Sequence, residues 1–184
     1  MSNSRERGAA ALALPPDCQQ QTMGVVFFDL SRFAEWGGSE QDEQVAEFLQ
    51  SFYVLSSEVI GSAGGRIVKF MGDAGLAVFD PDAAEAAIDA LDRLARQVRA
   101  LALEAGLDAY LNINVHVGPV LTGSFGAPGA ERFDVIGKTV NVAARLGRRG
   151  MILSAQAFRC LGPEARQRFN KNMPPITYRA STTY

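Results

Sequence analysis

The sequence is poor in cysteine, in excess charge and in long apolar runs. Two cysteines, Cys18 and Cys160, cannot build a disulfide framework in 184 residues, which favours a reducing compartment, the cytoplasm. Lys and Arg number 18 against 20 Asp and Glu, and this net charge of −2 argues against nucleic acid as a partner. The apolar runs are short and interrupted, so no membrane-spanning segment is predicted. The N-terminal run AAALAL, which follows Arg5 and Arg7, is too short for a secretory signal.

What remains is the composition of one globular domain. Hydrophobic residues make up 47% of the chain and the mean hydropathy is +0.01, and the length is sufficient to bury a substantial core. Residues 1–22 contain Pro15-Pro16 and a glutamine run without a sustained period, which predicts a tail or linker. The folded domain is therefore expected over residues 23–184.

Hydrophobic periodicity predicts a strand, a helix, a two-stranded hairpin, a second helix and a further strand, in that order. These are the strand Met23–Leu30, a helix from Ser39 to Gly64, the strands Arg66–Met71 and Gly75–Phe79, a helix from Ala83 to Gly106, and the strand Leu111–Val117. This order is the split βαβ, ferredoxin-like arrangement, an α+β fold with helices on one face of a sheet. Shorter elements are predicted after it: a strand Val120–Phe125 returning from a hairpin at Gly118-Pro119, helices Thr139–Leu146 and Ala155–Leu161, and a strand Met151–Leu153.

Two aspartates stand where this topology would bring them together. Asp29 ends an apolar strand, where a charge is costly without a partner, and Asp73 lies in the turn of the predicted hairpin. Carboxylates that share a pocket with substrate phosphates suit Mg²⁺, and two such ions can clamp both oxygens of a phosphoryl displacement. Taken alone, both residues are better explained as caps of backbone groups.

Three further polar residues have a chemical and an ordinary explanation. Asn141 and Arg145 lie four apart on a predicted short helix, hence on one face; the guanidinium suits phosphoryl charge and the amide suits a ribose. Lys69 interrupts the apolar strand IVKFM four residues before Asp73. The ordinary explanations are local helix contacts for the first two and an edge-strand lysine with its ammonium in water for the third.

Four segments together resemble the class III adenylyl and guanylyl cyclase family, in the family's order and spacing. They are FFDLSRF (27–33), GGRIVKFMGDAGLAVF (64–79), NVHVGPVLTGSFG (114–126) and RFDVIGKTVNVAARL (132–146). The resemblance covers about Val25 to Ser154, which is most of the chain. It implies attack of a ribose 3′-oxygen on the α-phosphorus of a nucleoside triphosphate, with pyrophosphate as the leaving group.

The resemblance also implies a role for each matching residue. Two divalent ions, Mg²⁺ or Mn²⁺, would be held at Asp29, Leu30 and Asp73. Asn141 would orient the ribose, and Arg145 would stabilise the pentacovalent transition state. The backbone after Asp29 would hold the β- and γ-phosphates through N–H groups at Leu30, Ser31, Arg32, Phe33 and Ala34. His116 also matches a family position and is interpreted as structural.

The resemblance assigns base recognition to Lys69 and Asp134, and chemistry then selects the base. Adenine presents an acceptor at N1 and an amino donor at N6, which match a lysine donor and an aspartate acceptor. Guanine, with an acceptor at O6 and donors at N1 and N2, calls for an acidic residue near position 69, so ATP is the expected substrate. In the family the metal-binding and base-binding residues come from different subunits, which predicts a head-to-tail homodimer with shared sites.

Some positions depart from the family and leave alternatives open. Arg32 and Ala34 stand where the family often has Gly and Thr, and the basic residue that holds the terminal phosphates is not placed, with Lys171 and Arg179 as candidates. The rival functions are a non-catalytic cyclase-homology module that binds nucleotide or dimerises, and a guanylate cyclase. A diguanylate cyclase would need a GG[DE]EF hairpin, which residues 72–75 do not supply.

Overall fold

The computed structural model of the chain describes residues 13–173 and 175–182. Within them the strands are β1 Gln19–Leu30, β2 Arg66–Met71, β3 Ala74–Phe79, β4 Leu111–Phe125, β5 Arg132–Ile136, β6 Met151–Ser154, β7 Phe169–Asn172 and β8 Thr177–Ala180. The helices are α1 Phe33–Gly37, α2 Asp42–Ser62, α3 Ala84–Glu104, α4 Lys138–Ala143, α5 Ala155–Arg159 and α6 Pro163–Arg166, with a 3₁₀ turn at Pro81–Ala83 before α3.

The sheet has the strand order β2-β3-β1-β4-β6-β8-β7, and β5 pairs with β4 off this path. The first four strands, with α2 and α3 as their crossovers, form the predicted split βαβ unit, so the α+β fold class is confirmed. β1 pairs antiparallel with both β3 and β4, which makes it the central strand of that unit. The end of β1 therefore lies between the β2–β3 turn and the beginning of β4.

The two long helices cover one face of this sheet and form the main core with it. α3 buries an almost continuous stripe of small and branched residues, from Ala87 to Ala102, against the strands and α2. Phe28 of β1 meets Phe52 of α2 edge to face, with ring centroids 6.0 Å apart. Gly75 opposite is required by this packing, because a Cβ there would come within 2.2 Å of the Phe28 ring. The core thus fixes the end of β1 against the β2–β3 turn.

The opposite face carries a smaller apolar cluster. Side chains of β1, β3 and β4 meet β5 and α4 in it; its buried members are Val25, Leu76, Val78, Val120, Val135 and Ala143. Strand residues alternate between faces, so Asp29, two positions beyond Phe27 of this cluster, lies on the same side. Lys69, Asp134 and Asn141 are likewise carried by β2, β5 and α4, which contribute side chains to this cluster.

The hairpin predicted at Gly118-Pro119 is wrong, because β4 continues through both residues to Phe125. Pro119 lies opposite Thr22 of β1, between the stretch of β4 that pairs with β6 and the stretch that pairs with β5. A proline has no N–H to donate, and at Pro119 neither β5 nor β6 pairs with this edge of β4, so no hydrogen bond is lost there. The true partner of Leu121–Phe125 is β5, which periodicity did not predict.

Two predicted boundaries also shift. β1 begins at Gln19 rather than Met23, because Gln19–Thr22 pair with the continued part of β4; these four residues lie in the sheet and not in the expected tail. Residues 1–12 of that tail lie outside the described residues. The first long helix begins at Asp42 rather than Ser39, whose hydroxyl instead donates to the carbonyl oxygen of Trp36 at 2.7 Å and closes α1.

Candidate active site

Asp29 and Asp73 line one cleft of about 490 Å³. Asp29 lies opposite Ala74 of β3, and the Leu30 N–H donates to the Asp73 carbonyl oxygen at 3.2 Å. The turn that carries Asp73 contains Gly72 at φ 66°, a left-handed conformation that glycine adopts without a Cβ clash. The sheet therefore brings the two aspartates together, as the topology had suggested.

The cleft is electrostatically suited to a cation. Burial raises the pKa of the Asp73 carboxyl, and the neighbouring negative charge of Asp29 raises it further. The Asn112 amide of β4 donates to Asp29 Oδ2 at 3.2 Å. Two carboxylates that repel each other in a half-buried cleft are stabilised when a divalent ion lies between them. The residues present therefore fit the expected metal ions, for which phosphate and backbone oxygens would complete the coordination.

A tyrosine that sequence reasoning missed holds the turn of Asp73. The Tyr53 hydroxyl of α2 donates to the Gly72 carbonyl oxygen at 2.8 Å, and its ring stacks on Phe70 with centroids 4.2 Å apart. Burial and the charge of Asp73 raise the pKa of Tyr53, so the hydroxyl keeps its proton and remains a donor. A helical Tyr in an apolar stripe gives no sign of this contact in the sequence.

The segment after Asp29 borders the cleft but is only partly free to bind phosphate. The Ser31 N–H donates to the Tyr110 carbonyl oxygen at 2.9 Å, and the Leu30 N–H is used by Asp73. The N–H groups of Leu30 and Ser31, which were expected to bind phosphate, therefore already donate to carbonyl oxygens of the chain. Arg32 follows at φ 60° and α1 then begins, so the N–H groups of Arg32, Phe33 and Ala34 remain for an anion.

The Arg32 side chain is held at the edge of the cleft. It donates to Asp108 at 3.1 Å, and Asp108 also accepts from Arg99 at 2.7 Å. The hydrogen bond and charge of Arg99 lower the pKa of the exposed Asp108, which is therefore ionised at neutral pH. The Arg32 guanidinium therefore points to Asp108 and leaves room beside the N–H groups of the segment that follows Asp29.

Lys69 of β2 and Asp134 of β5 form an ion pair outside the cleft of the two aspartates. Lys69 Nζ lies 2.6 Å from Asp134 Oδ2, with side chains 43% and 27% exposed. A β-bulge between Ile67 and Lys69 shifts the register of β2, so that Lys69 lies opposite Leu76 of the smaller cluster while Ile67 packs against the main core. Without the bulge, Ile67 and Lys69 would face the same way.

Asn141 and Arg145 are both exposed, and the helix that carries them is shorter than predicted. α4 ends at Ala143, and Arg145 follows in a turn in which its N–H donates to the Val142 carbonyl oxygen at 3.0 Å. Among the described residues neither side chain has a hydrogen-bond partner. Neither residue lines the cleft of Asp29 and Asp73, and nor do Lys69 and Asp134.

The comparisons with known proteins place the chain in a family. Residues 17–172 match the family described as the adenylate and guanylate cyclase catalytic domain. That match covers most of the chain, and the chain therefore belongs to this family. None of the described helices combines the length and the apolar character that a membrane span requires.

One relative and two solved structures illustrate the likeness. Adenylate cyclase 1 of Rhizobium meliloti is 28% identical over 142 residues, which span 69% of this chain and 20% of that protein. The adenylyl cyclase CyaB from P. aeruginosa superposes with a TM-score of 0.79 at 18% identity, covering 91% of this chain and 97% of that one. The monomeric guanylyl cyclase domain of the RhoGC fusion protein from Blastocladiella emersonii gives 0.75 at 19% identity, covering 91% and 99%. Similarity this low shows the fold alone, and it extends to cyclases of both nucleotides.

Proposed function

We propose that the chain is an adenylate cyclase domain that converts ATP to 3′,5′-cyclic AMP and pyrophosphate in a homodimer. The observation that carries the proposal is the cleft in which Asp29 and Asp73 converge beside the N–H groups of Arg32–Ala34, which have no backbone acceptor among the described residues. A cleft with two carboxylates and a short anion-binding segment suits a metal-bound triphosphate better than any neutral ligand.

In this proposal Asp29, Asp73 and the Leu30 carbonyl hold two divalent ions. Such ions, when bound, neutralise the triphosphate and lower the pKa of the ribose 3′-hydroxyl. The N–H groups of Arg32, Phe33 and Ala34 bind phosphate oxygens. Among the described residues that line the cleft, no side chain stands out as a dedicated general base, so the proton of the 3′-hydroxyl passes to solvent or to a phosphate oxygen.

A homodimer is proposed because the remaining functional residues lie outside this cleft. A partner chain would bring its Asn141 to the ribose and its Arg145 to the charge that develops at the α-phosphorus. Three exposed apolar side chains support such a contact: Met71, Ile136 and Val142 lie on β2, β5 and α4, which carry the base- and ribose-binding residues. Burying them would favour association.

ATP is proposed over GTP because of the ion pair between Lys69 and Asp134. Each side chain holds the other in place, at the spacing of neighbouring donor and acceptor groups. Adenine can replace the direct contact between the two side chains, since its N1 accepts from the lysine and its N6 amino group donates to the aspartate. Guanine would place its N1 donor against the lysine and leave both unpaired.

The decisive experiment is an assay of the purified chain with ATP or GTP and with Mg²⁺ or Mn²⁺, detecting cyclic product. Cyclic AMP should form, and Asp29→Asn and Asp73→Asn should each abolish it while the melting temperature is kept or raised. The increase is expected for Asp73→Asn because it removes a half-buried charge. Absence of any cyclic nucleotide at high protein concentration would instead favour a regulatory, nucleotide-binding module.

A further inference from the structure

The loop between α4 and β6 brings a second arginine to the carboxylate cleft. Arg148 lines the cleft together with Asp29, Asp73 and the segment Leu30–Glu35. Its nearest basic neighbour in the chain, Arg149, does not line the cleft. The sequence offered no motif at this position, since GRRG resembles an ordinary surface turn.

The loop is held from below by two buried asparagines of β4. Asn112 Oδ1 accepts from the Arg149 N–H at 2.7 Å, and Asn114 Nδ2 donates to the Gly147 carbonyl oxygen at 3.0 Å. Both asparagines are at most 3% exposed. Since Asn112 also donates to Asp29, one side chain fixes the distance between the loop and the carboxylate.

The loop has a strained backbone conformation that its hydrogen bonds to β4 maintain. Arg149 has φ 79°, a left-handed conformation that costs a non-glycine residue free energy unless its surroundings over-determine it. The Ile113 N–H adds a third anchor by donating to the Gly150 carbonyl oxygen at 3.0 Å. Hydrogen bonds to β4 therefore fix the backbone of the loop, and Arg148 is the loop residue that lines the cleft.

Arg148 has no carboxylate partner within ion-pair distance among the described residues, although three carboxylates, those of Asp29, Glu35 and Asp73, line the same cleft. Its charge is therefore available to an anion. Roughly four negative charges on a triphosphate, two aspartates and two divalent ions leave a net negative site, which a guanidinium compensates.

We propose that Arg148 binds the triphosphate of the nucleotide, from the same subunit as Asp29 and Asp73. The proposal rests on the proposed cyclase function and deepens it. It adds a basic residue to a role for which the sequence suggested only Lys171 and Arg179. Neither of these lines the cleft of its own chain.

The test compares Arg148→Gln with Arg149→Gln, a matched control that removes the same charge from the next residue and keeps the backbone bond to Asn112. The probe is an ATP analogue with a methylene group between the α- and β-phosphates, which cannot release pyrophosphate, bound in the presence of Mn²⁺. Loss of one or two charge-assisted hydrogen bonds should raise Kd of Arg148→Gln by about 10- to 100-fold. Arg149→Gln should stay within about twofold of the wild type, and Arg148→Lys should recover part of the loss.

Adenosine and pyrophosphate separate a triphosphate contact from a general loss of structure. As competitors of the analogue, pyrophosphate should lose affinity for Arg148→Gln and adenosine should not. Equal Kd values for Arg148→Gln and Arg149→Gln overturn the proposal, as does an equal loss for adenosine and pyrophosphate. A wild-type chain that binds the analogue through Arg148 but forms no cyclic AMP would refute only the cyclase function, whereas no analogue binding refutes both.

Discussion

Chains with Asp73→Ala or with Arg145→Ala should each be inactive alone and should regain activity when mixed. Asp73 lines the carboxylate cleft and Arg145 does not. Each site of a two-fold dimer would therefore take Asp73 from one chain and Arg145 from the other. In the mixed dimer one site carries both defects and the other carries none.

The size of the recovery follows from counting sites. Equal amounts that exchange at random make about half of the dimers mixed, each with one intact site of two, so the mixture should reach about a quarter of the wild-type specific activity. A mixed dimer purified through two different affinity tags should reach about half. Specific activity should also fall on dilution, because the dimer population follows mass action.

A matched control comes from two defects in the same half-site. Chains with Asp29→Ala and Asp73→Ala should stay inactive when mixed, because every possible site then lacks one aspartate. If the Asp73→Ala and Arg145→Ala chains demonstrably form mixed dimers and no cyclic AMP appears, the shared-site reasoning is refuted and each site lies within one chain.

Three other perturbations test two parts of the site and one buried residue of the sheet. Lys69→Glu combined with Asp134→Ser should lower kcat/KM for ATP relative to GTP by at least about tenfold; an unchanged ratio would mean that the base is recognised elsewhere. Tyr53→Phe removes the hydrogen bond to the turn at Gly72, so unfolding should become easier by about 1 kcal/mol and the Mn²⁺ concentration for half-maximal activity should rise; unchanged metal dependence would contradict the positioning role. His116, 8% exposed, has a pKa lowered by burial, so its contribution to stability is present above the ordinary value of 6.5 and is lost as the pH falls below it. The difference in unfolding free energy between wild type and His116→Gln should therefore shrink towards acid pH, and a constant difference would show that this histidine does not titrate on unfolding.

The order of the long elements was predictable because each has a strong period and a clear end. The apolar run of β1 and the stripes of α2 and α3 required burial on one side of a sheet, and glycines at Gly64 and Gly106 ended the helices. Once the split βαβ order was known, the proximity of Asp29 and Asp73 followed, since topology makes β1 and β3 neighbours. The convergence of the two aspartates, to which the proposal assigns the metal ions, is therefore a consequence of the order of strands and helices.

The other half depends on features that periodicity does not reveal. The bulge that turns Lys69 towards Asp134 is an irregularity of one residue, and strict alternation would place that lysine on the helix face. The Gly118-Pro119 pair has the composition of a turn, yet tertiary pairing with β1 keeps it extended. The loop of Arg148 acquires its conformation from Asn112 and Asn114, whose partners are more than 30 residues away in the chain.

The two halves of the site are consequently built by different means, and this has a functional consequence. The position of Asp29 depends on the register of β1 with β3 and β4, which the main core also requires, and Asp73 follows in the β2–β3 turn beside it. The ion pair of Lys69 and Asp134 depends on one bulge and on β5, which pairs with the sheet along β4 outside the main strand order. If the proposed function holds, substitution of Lys69 and Asp134 should change the base that is recognised and leave the carboxylate cleft intact. A fold of this kind can serve both adenylyl and guanylyl cyclases, which are both found among its structural neighbours.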